Sequence, residues 1–456
     1  MTDRHEIDAQ VSRRSFLQTG VGAVAVAATL STVRPVFAWA DKPALLGGTP
    51  VRIGDWPTWP VSDSLEMDGL REVLQSGKWH RYAAGEQGKV AEFERQWAAD
   101  VGVPYCQAAN SGTSSLVCAL AALDIGPGDE VLVPPYTFIA TINAVLVHHA
   151  LPVFVDSDPD TALMDPGTLE GRINENTRAI LPVHIAGAPC DMDRILQIAA
   201  VRNLKVVEDA CQAHTAAWNG KRVGSMGDAG CFSFQNSKNI TSGDGGALTT
   251  NDRIVYARAQ AFENNGTSPV KDDGVRTSNG MNLRLTEFQG ALLLAQLTRN
   301  EMFTRRREEN GAHLNELLNA IPGVRAKRAY PGTTRHGYHL YMFDFDPEQF
   351  SGMSKSQLLK ALTAEGVPAS GGYSALNKHA FVEQFLTSRS FQRIYSPERL
   401  KDYREQNVCP ANDGMIERTC WLTQNVLLGT REDMESIAAA VSRIQRHAGD
   451  LVRVVS

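Results

Sequence analysis

The chain has 456 residues, with 45 basic and 51 acidic side chains and a formal charge of −6. Hydrophobic residues make up 43% and charged residues 21%, which excludes a disordered chain, and 38 glycines without a triplet period exclude a collagen-like one. Mild acidity without a long basic run argues against nucleic acid as a partner.

The first 40 residues read as an address. Ser12-Arg13-Arg14-Ser15-Phe16-Leu17 leads into an apolar run from Val21 to Val33, and Ala38-Trp39-Ala40 offers a cleavage site that would leave Asp41 at the new N-terminus. Paired arginines ahead of a short apolar stretch resemble a twin-arginine export signal. The run holds 13 residues, against the ~20 needed to cross a bilayer, so no stable membrane span is expected. The expected destination is the periplasm or the exterior; an uncleaved anchor or cytoplasmic retention is the alternative. Seven cysteines, an odd number with no C-x-x-C pair or Cys/His cluster, give no zinc or other metal site. They read as small core residues. The twin-arginine resemblance implies export of an already folded protein, so a disulfide is not required.

From Asp41 to about Pro60 the chain is rich in Pro, Gly and Trp and reads as an irregular arm. Helices are predicted near Met67–Ser76 and Lys89–Val101, closed by Gly77 and Gly102. Candidate strands follow at Glu130–Val133, Val153–Asp156, Ile180–Val183, Lys205–Glu208, Gly230–Phe234 and Ala247–Thr250. Between them lie helical spacings at Ser114–Leu123, Ala140–His148 and Asp191–Val201. This alternation predicts an α/β fold with a mainly parallel sheet covered on both faces. A long helix runs from Glu287 to about Leu318. Strand-like His339–Phe345, helical Ser356–Glu365 and a terminal helix near Glu432–His447 then suggest a smaller α+β domain. The expected division is a leader at 1–40, a large domain at 41–300 and a small one at 301–456.

The polar residues that carry chemistry fall at strand ends and loops, where open α/β sheets bind ligands. Asn110-Ser111-Gly112-Thr113-Ser114 is a glycine turn opening a helix, which makes either an anion site or a simple N-cap. Val206-Val207-Glu208-Asp209 ends a strand in two carboxylates, either functional or capping. Lys238 follows the strand Cys231–Phe234 in a polar loop, with Ser242-Gly243-Asp244-Gly245-Gly246 beyond it. Such a lysine taken alone is a solvated charge. Together these three features are what pyridoxal phosphate requires: an amine to hold it, a carboxylate for its ring nitrogen and a donor-rich terminus for its phosphate.

The segments N-S-G-T-S-S-L (110–116), G-P-G-D-E-V-L-V-P-P-Y-T-F-I-A-T-I-N-A (126–144), P-V-F-V-D (152–156) and L-P-V-H-I-A-G (181–187) occur in order. They are followed by V-V-E-D-A-C-Q-A-H (206–214), V-G-S-M-G-D-A-G-C-F-S-F (223–234) and S-K-N-I-T-S-G-D-G-G (237–246). The set resembles the DegT/DnrJ family of sugar aminotransferases, in fold-type I of the pyridoxal-phosphate enzymes, over about residues 45–450. Gly77–Arg81, Ser233-Phe234-Gln235, Glu365–Pro368 with Gly372-Tyr373, and Cys420-Trp421-Leu422 look closest to the branch of scyllo-inosose aminotransferases and 3-amino-5-hydroxybenzoate synthases.

The resemblance implies that Lys238 is the Schiff-base lysine, that Asp209 contacts the pyridine nitrogen and that Gln212 lies near the cofactor's phenolic oxygen. It assigns Gly112, Thr113 and Ser233 to the phosphate and Phe138 to the ring face. Asn282 matches an asparagine that reaches the phosphate of a neighbouring subunit, which implies a homodimer with shared sites. His184 and His214 face substrate or serve as structural histidines. Three residues depart from the family pattern: Asp244 stands for a glutamate, Gln424 for a histidine of close relatives and Gly290 for an alanine. The implied reaction moves an amino group from L-glutamate or L-glutamine to a keto-sugar or keto-cyclitol. Retention of Lys238 speaks against the related sugar dehydratases, in which histidine replaces it. The competing reading is an exported, non-catalytic pyridoxal-phosphate- or sugar-binding protein of the same fold. Segments near Trp79–Tyr82, Arg335–His339 and Ser370–Lys378 are expected to set the acceptor.

Overall fold

Short β-branched stretches buried on both faces build the middle of a seven-stranded sheet. In the computed structural model, which describes residues 42–267 and 279–455, they run in chain order as β1 (Tyr105–Ala109), β2 (Glu130–Val133), β3 (Leu151–Phe154), β4 (Thr177–Ile180) and β5 (Lys205–Asp209). A small hairpin, β6 (Ala217–Trp218) and β7 (Lys221–Arg222), intervenes before β8 (Ala229–Ser233) and β9 (Gly246–Thr250). The sheet order is β1-β9-β8-β5-β4-β2-β3. Every pair from β8 to β3 is parallel, and β9 alone runs against its neighbours β8 and β1. The strands β1, β5 and β8 therefore end at the same edge.

Helices cover both faces, as expected of parallel strands. Lys89–Val101 occupies its predicted span, and the first helix begins at Ser64, three residues early, because Asp63 and Glu66 form a capping box there. Trp97 and Phe93, fully buried on Lys89–Val101, meet Phe232 and Phe234 edge-on at ring separations of 5.1–5.6 Å. That aromatic cluster fixes the end of β8 and the start of the loop that holds Lys238.

The helix Glu287–Asn319 runs unbroken through residue 300. Beyond it, β10 (Val324–Ala326), β12 (Leu340–Phe345) and β13 (Thr419–Thr423) form a second antiparallel sheet, while β11 (Thr333–Arg335) pairs with β6. Gly290 in this helix answers a close approach: a Cβ there would stand 2.7 Å from the backbone N of Val90. The arm is tied to the smaller sheet's helices through Glu365, which accepts from the backbone N–H groups of Ala44 and Val51, at 2.9 Å each, and from Arg443 Nη1. All seven cysteines are unpaired. The leader and its cleavage site lie outside the described residues. Among the described residues no helix is long and apolar enough to cross a membrane.

Candidate active site

The loops after β1, β5 and β8 enclose a cavity of about 480 Å³ that gathers Gly112, Thr113, Phe138, Asp209, Gln212, Ser233 and Lys238. Gly112 opens an eleven-residue helix, and Ser111 caps it by accepting from Ser114 N. A side chain at Gly112 would collide with Ser233, so the terminal N–H groups and the Ser233 hydroxyl meet without obstruction. Such a helix start favours an anion by its free donors and its dipole.

Side chains alternate along β5 and so separate its two carboxylates. Asp209 faces the cavity, 3% exposed; its Oδ1 accepts from Cys211 N and its Oδ2 from Thr141 Oγ1. Glu208 points the other way and accepts from the N–H groups of Gly224, Met226 and Gly227 and from His184 Nε2. Burial alone would raise the Glu208 carboxyl, but His184 and these donors hold it below its usual range. Glu208 is therefore a structural anchor.

Lys238 hangs from a tight loop in which its N–H donates to Gln235 O. Burial lowers its ammonium pKa, partly opposed by Cys211 and Asp209, which favours the neutral, nucleophilic amine. The arm crosses this loop, with Trp59 Nε1 donating to Asn236 O at 3.0 Å. Phe138 is 55% exposed and leaves an aromatic face open at the cavity. Gln212 is 3% exposed, its Oε1 accepting from Ala186 N and its Nε2 donating to the Tyr373 hydroxyl.

For both histidines the structure favours the second of the two readings, a hydrogen-bonded structural role. His184 is fully buried, with Nδ1 accepting from Cys190 N and Nε2 on Glu208; His214 is buried with Nε2 against Ser233 O. Neither lines the cavity, and burial lowers the His214 pKa to about 3 despite the Ser233 carbonyl. His339 does line the cavity, with its Nδ1 3.3 Å from Asn239 Oδ1. It lay only inside a segment marked for specificity, as did Tyr373, because packing between distant parts of the chain brings both to the site. Asn282 is exposed and bridges Asn264, away from the cavity of its own chain.

Two departures also find their places. Gln424 is buried and its Oε1 accepts from Arg307 Nε at 3.0 Å, so it is held inside the core. Asp244 is exposed at the cavity rim, and its backbone oxygen accepts from Ser242 Oγ and from Gln289 Nε2 of the long helix.

The residues present fit pyridoxal phosphate: a glycine-opened helix start that tolerates no Cβ, a buried carboxylate at a strand end and a desolvated lysine share one cavity. A mainly parallel sheet bearing this set defines a pyridoxal-phosphate protein of fold-type I. Residues 60–442 match the DegT/DnrJ/EryC1/StrS aminotransferase family, and the chain belongs to it. It is 35% identical over 425 residues to an L-glutamine:2-deoxy-scyllo-inosose aminotransferase of Streptoalloteichus tenebrarius, covering 90% of this chain and 98% of that one. An enzyme of the same name from Streptomyces kanamyceticus is 34% identical with the same coverage. Among solved structures, 3-amino-5-hydroxybenzoic acid synthase superposes with a TM-score of 0.77 at 31% identity, covering 88% of this chain and 100% of that one. These likenesses favour the catalytic reading over that of a ligand-holding protein.

Proposed function

We propose that the protein transfers the amino group of L-glutamine to the ketone of a keto-cyclitol. The observation that carries this reading is the convergence of Lys238, Asp209 and the Gly112–Ser233 cradle on one cavity. The named activity of relatives at 34–35% identity supports the choice of donor and acceptor. L-glutamate and keto-sugars are the neighbouring alternatives.

When bound, pyridoxal phosphate supplies an electron sink for the charge left on a substrate carbon as its proton departs. The chain's own groups do the rest. Gly112 and Thr113 N–H groups and the Ser233 hydroxyl would hold the phosphate, Asp209 would stabilise positive charge at the ring nitrogen and Phe138 would cover the ring. Lys238 would hold the cofactor through its unprotonated amine until the donor's amino group displaces it, which would free Nζ as a base. The freed Nζ would take the proton from the donor's α-carbon and, in the second half-reaction, would deliver a proton to the acceptor's carbon.

Two further elements belong to this reading. Two copies form a homodimer in which Asn282 serves the partner's phosphate; its exposure away from its own cavity supports that role. Residues 1–40 direct export through the twin-arginine route, supported by Arg13-Arg14 and Ala38-Trp39-Ala40.

The deciding experiment is the visible spectrum of the protein with pyridoxal phosphate, before and after L-glutamine and L-glutamate. The expected result is a band that bleaches with L-glutamine, returns on adding a keto-cyclitol, and is lost with Lys238→Ala. A band that no amino donor and no ketone changes would overturn the reading.

A further inference from the structure

Tyr373 reaches the cavity from a segment far in sequence from the strand ends that carry the other site groups. Gly372 before it sits at φ 82°, and a Cβ there would come within 2.5 Å of the Tyr136 hydroxyl oxygen. The turn is thus fitted closely to the loop after β2. The Tyr373 ring stands edge-on to Trp421 at 4.6 Å between centroids.

Its hydroxyl oxygen accepts from Gln212 Nε2 at 3.0 Å. The Gln212 amide is fixed in that sense because its Oε1 takes the N–H of Ala186 at 2.9 Å. Ala186 is buried in the left-handed region (φ 58°, ψ 2°), a conformation costly for a residue with a Cβ. A strained backbone group therefore orients Gln212, and Gln212 in turn occupies the Tyr373 oxygen. The Tyr373 O–H proton is left as a spare donor on the cavity wall, with no acceptor among the described residues.

We propose that Tyr373 binds the phenolic oxygen of pyridoxal phosphate, donating its O–H beside Gln212 Nε2 so that one anionic oxygen receives two donors. This rests on the site assignment above. Burial pushes the Tyr373 phenol up to about 12, the Gln212 hydrogen bond opposing and Asp209 and Cys211 reinforcing, so the hydroxyl keeps its proton. Asp209, Cys211, Lys238 and His339 are the other titratable groups on this wall. A donor to an anionic oxygen weakens that oxygen's hold on the proton it shares with the lysine-linked nitrogen, so removing the donor raises the pH at which the proton is lost.

The test is a pH titration of the visible band of the cofactor-loaded protein, wild type against Tyr373→Phe, which keeps the ring against Trp421. The expected midpoint rises by roughly one unit in the variant. Affinity for pyridoxal phosphate falls roughly tenfold, while affinity for 3-deoxypyridoxal 5′-phosphate, which lacks that oxygen, stays unchanged. A midpoint that does not rise, or an equal loss for both ligands, overturns the proposal alone. Absence of a band in the wild type overturns the site assignment and this proposal with it.

Discussion

Gly112 lies so close to Ser233 that a methyl group on Gly112 would stand 2.5 Å from the Ser233 Cβ and 3.0 Å from Cys211 Sγ. The start of one helix is thereby pressed against the end of β8. N–H groups, a hydroxyl and the lysine loop meet there although 120 residues of chain separate the two glycine- and serine-bearing turns.

The tightness makes Gly112→Ala a sharp probe. Overpacking at such a contact costs about 1–3 kcal/mol, and the helix start can give way only by moving from Ser233. Affinity for pyridoxal phosphate, measured by equilibrium dialysis, is expected to fall roughly tenfold or more, since ~1.4 kcal/mol is a factor of ten. An alanine variant that binds the cofactor as the wild type does would show that the cradle lies elsewhere.

How much of this was legible follows from which residues carry the signal. Lys89–Val101 and Glu130–Val133 matched residue for residue, because apolar period and glycine stops agree there. The strand expected at Val153–Asp156 runs Leu151–Phe154; Pro152 reads as a breaker, yet β3 is the sheet edge, where proline is tolerated. β1 was missed because Gln107 and two alanines replace the usual β-branched run. The four short helices Phe381–Leu386, Arg389–Ile394, Pro397–Gln406 and Pro410–Ile416 are too brief to show a period. Asp209 and Lys238 are legible as strand-end and loop groups of one sheet, whereas Gln212 follows only from the family resemblance. His339 and Tyr373 arrive from the far side of the long helix, and no local pattern reveals that.

A pH-dependent strain sits in a cluster of buried charges outside the cofactor cavity. Arg81 is buried between Glu94, at 2.7 Å, and Glu263, at 3.5 Å, and Tyr82 OH donates to Glu263 Oε2. Two carboxylates share this guanidinium, and Arg284 adds a second positive charge acting on Glu263. Burial raises the Glu263 carboxyl from 4.5 to about 7, against Arg81 and Tyr82 and with Glu94 adding to the rise. Between those two pH values the folded chain holds a proton that the unfolded chain has released, so stability falls as pH rises through the window. Glu263→Gln cannot ionise and removes that slope. Thermal midpoints at pH 5 and pH 8 are expected to differ less in the variant than in the wild type; parallel behaviour would contradict the assignment.

The arm is a load on one carboxylate. Glu365 and Arg443 are 1% and 2% exposed as a pair, with the Ala44 and Val51 N–H groups on the same carboxylate. Glu365→Ala strands a buried cation and two donors, a loss of about 3–5 kcal/mol. Denaturant unfolding should show it, and a change within error would mean that the arm is held by other contacts. Cleavage after Ala40 would leave this latch whole.

Shared sites make a further claim that two dead proteins can test. In the proposed homodimer, Lys238→Ala would remove the amine of its own site and Asn282→Ala a phosphate contact of the partner's. In a mixed dimer one site carries both lesions, and the other carries Lys238 from one chain and Asn282 from its partner. Each variant alone is expected to be nearly inactive. Unfolding and refolding them together in equal amounts should restore about a quarter of wild-type turnover, because half the dimers are mixed and each has one intact site. Recovery of turnover on mixing would place Asn282 in the neighbouring site. No recovery, with mixed dimers demonstrated by native mass spectrometry, would place Asn282 outside it.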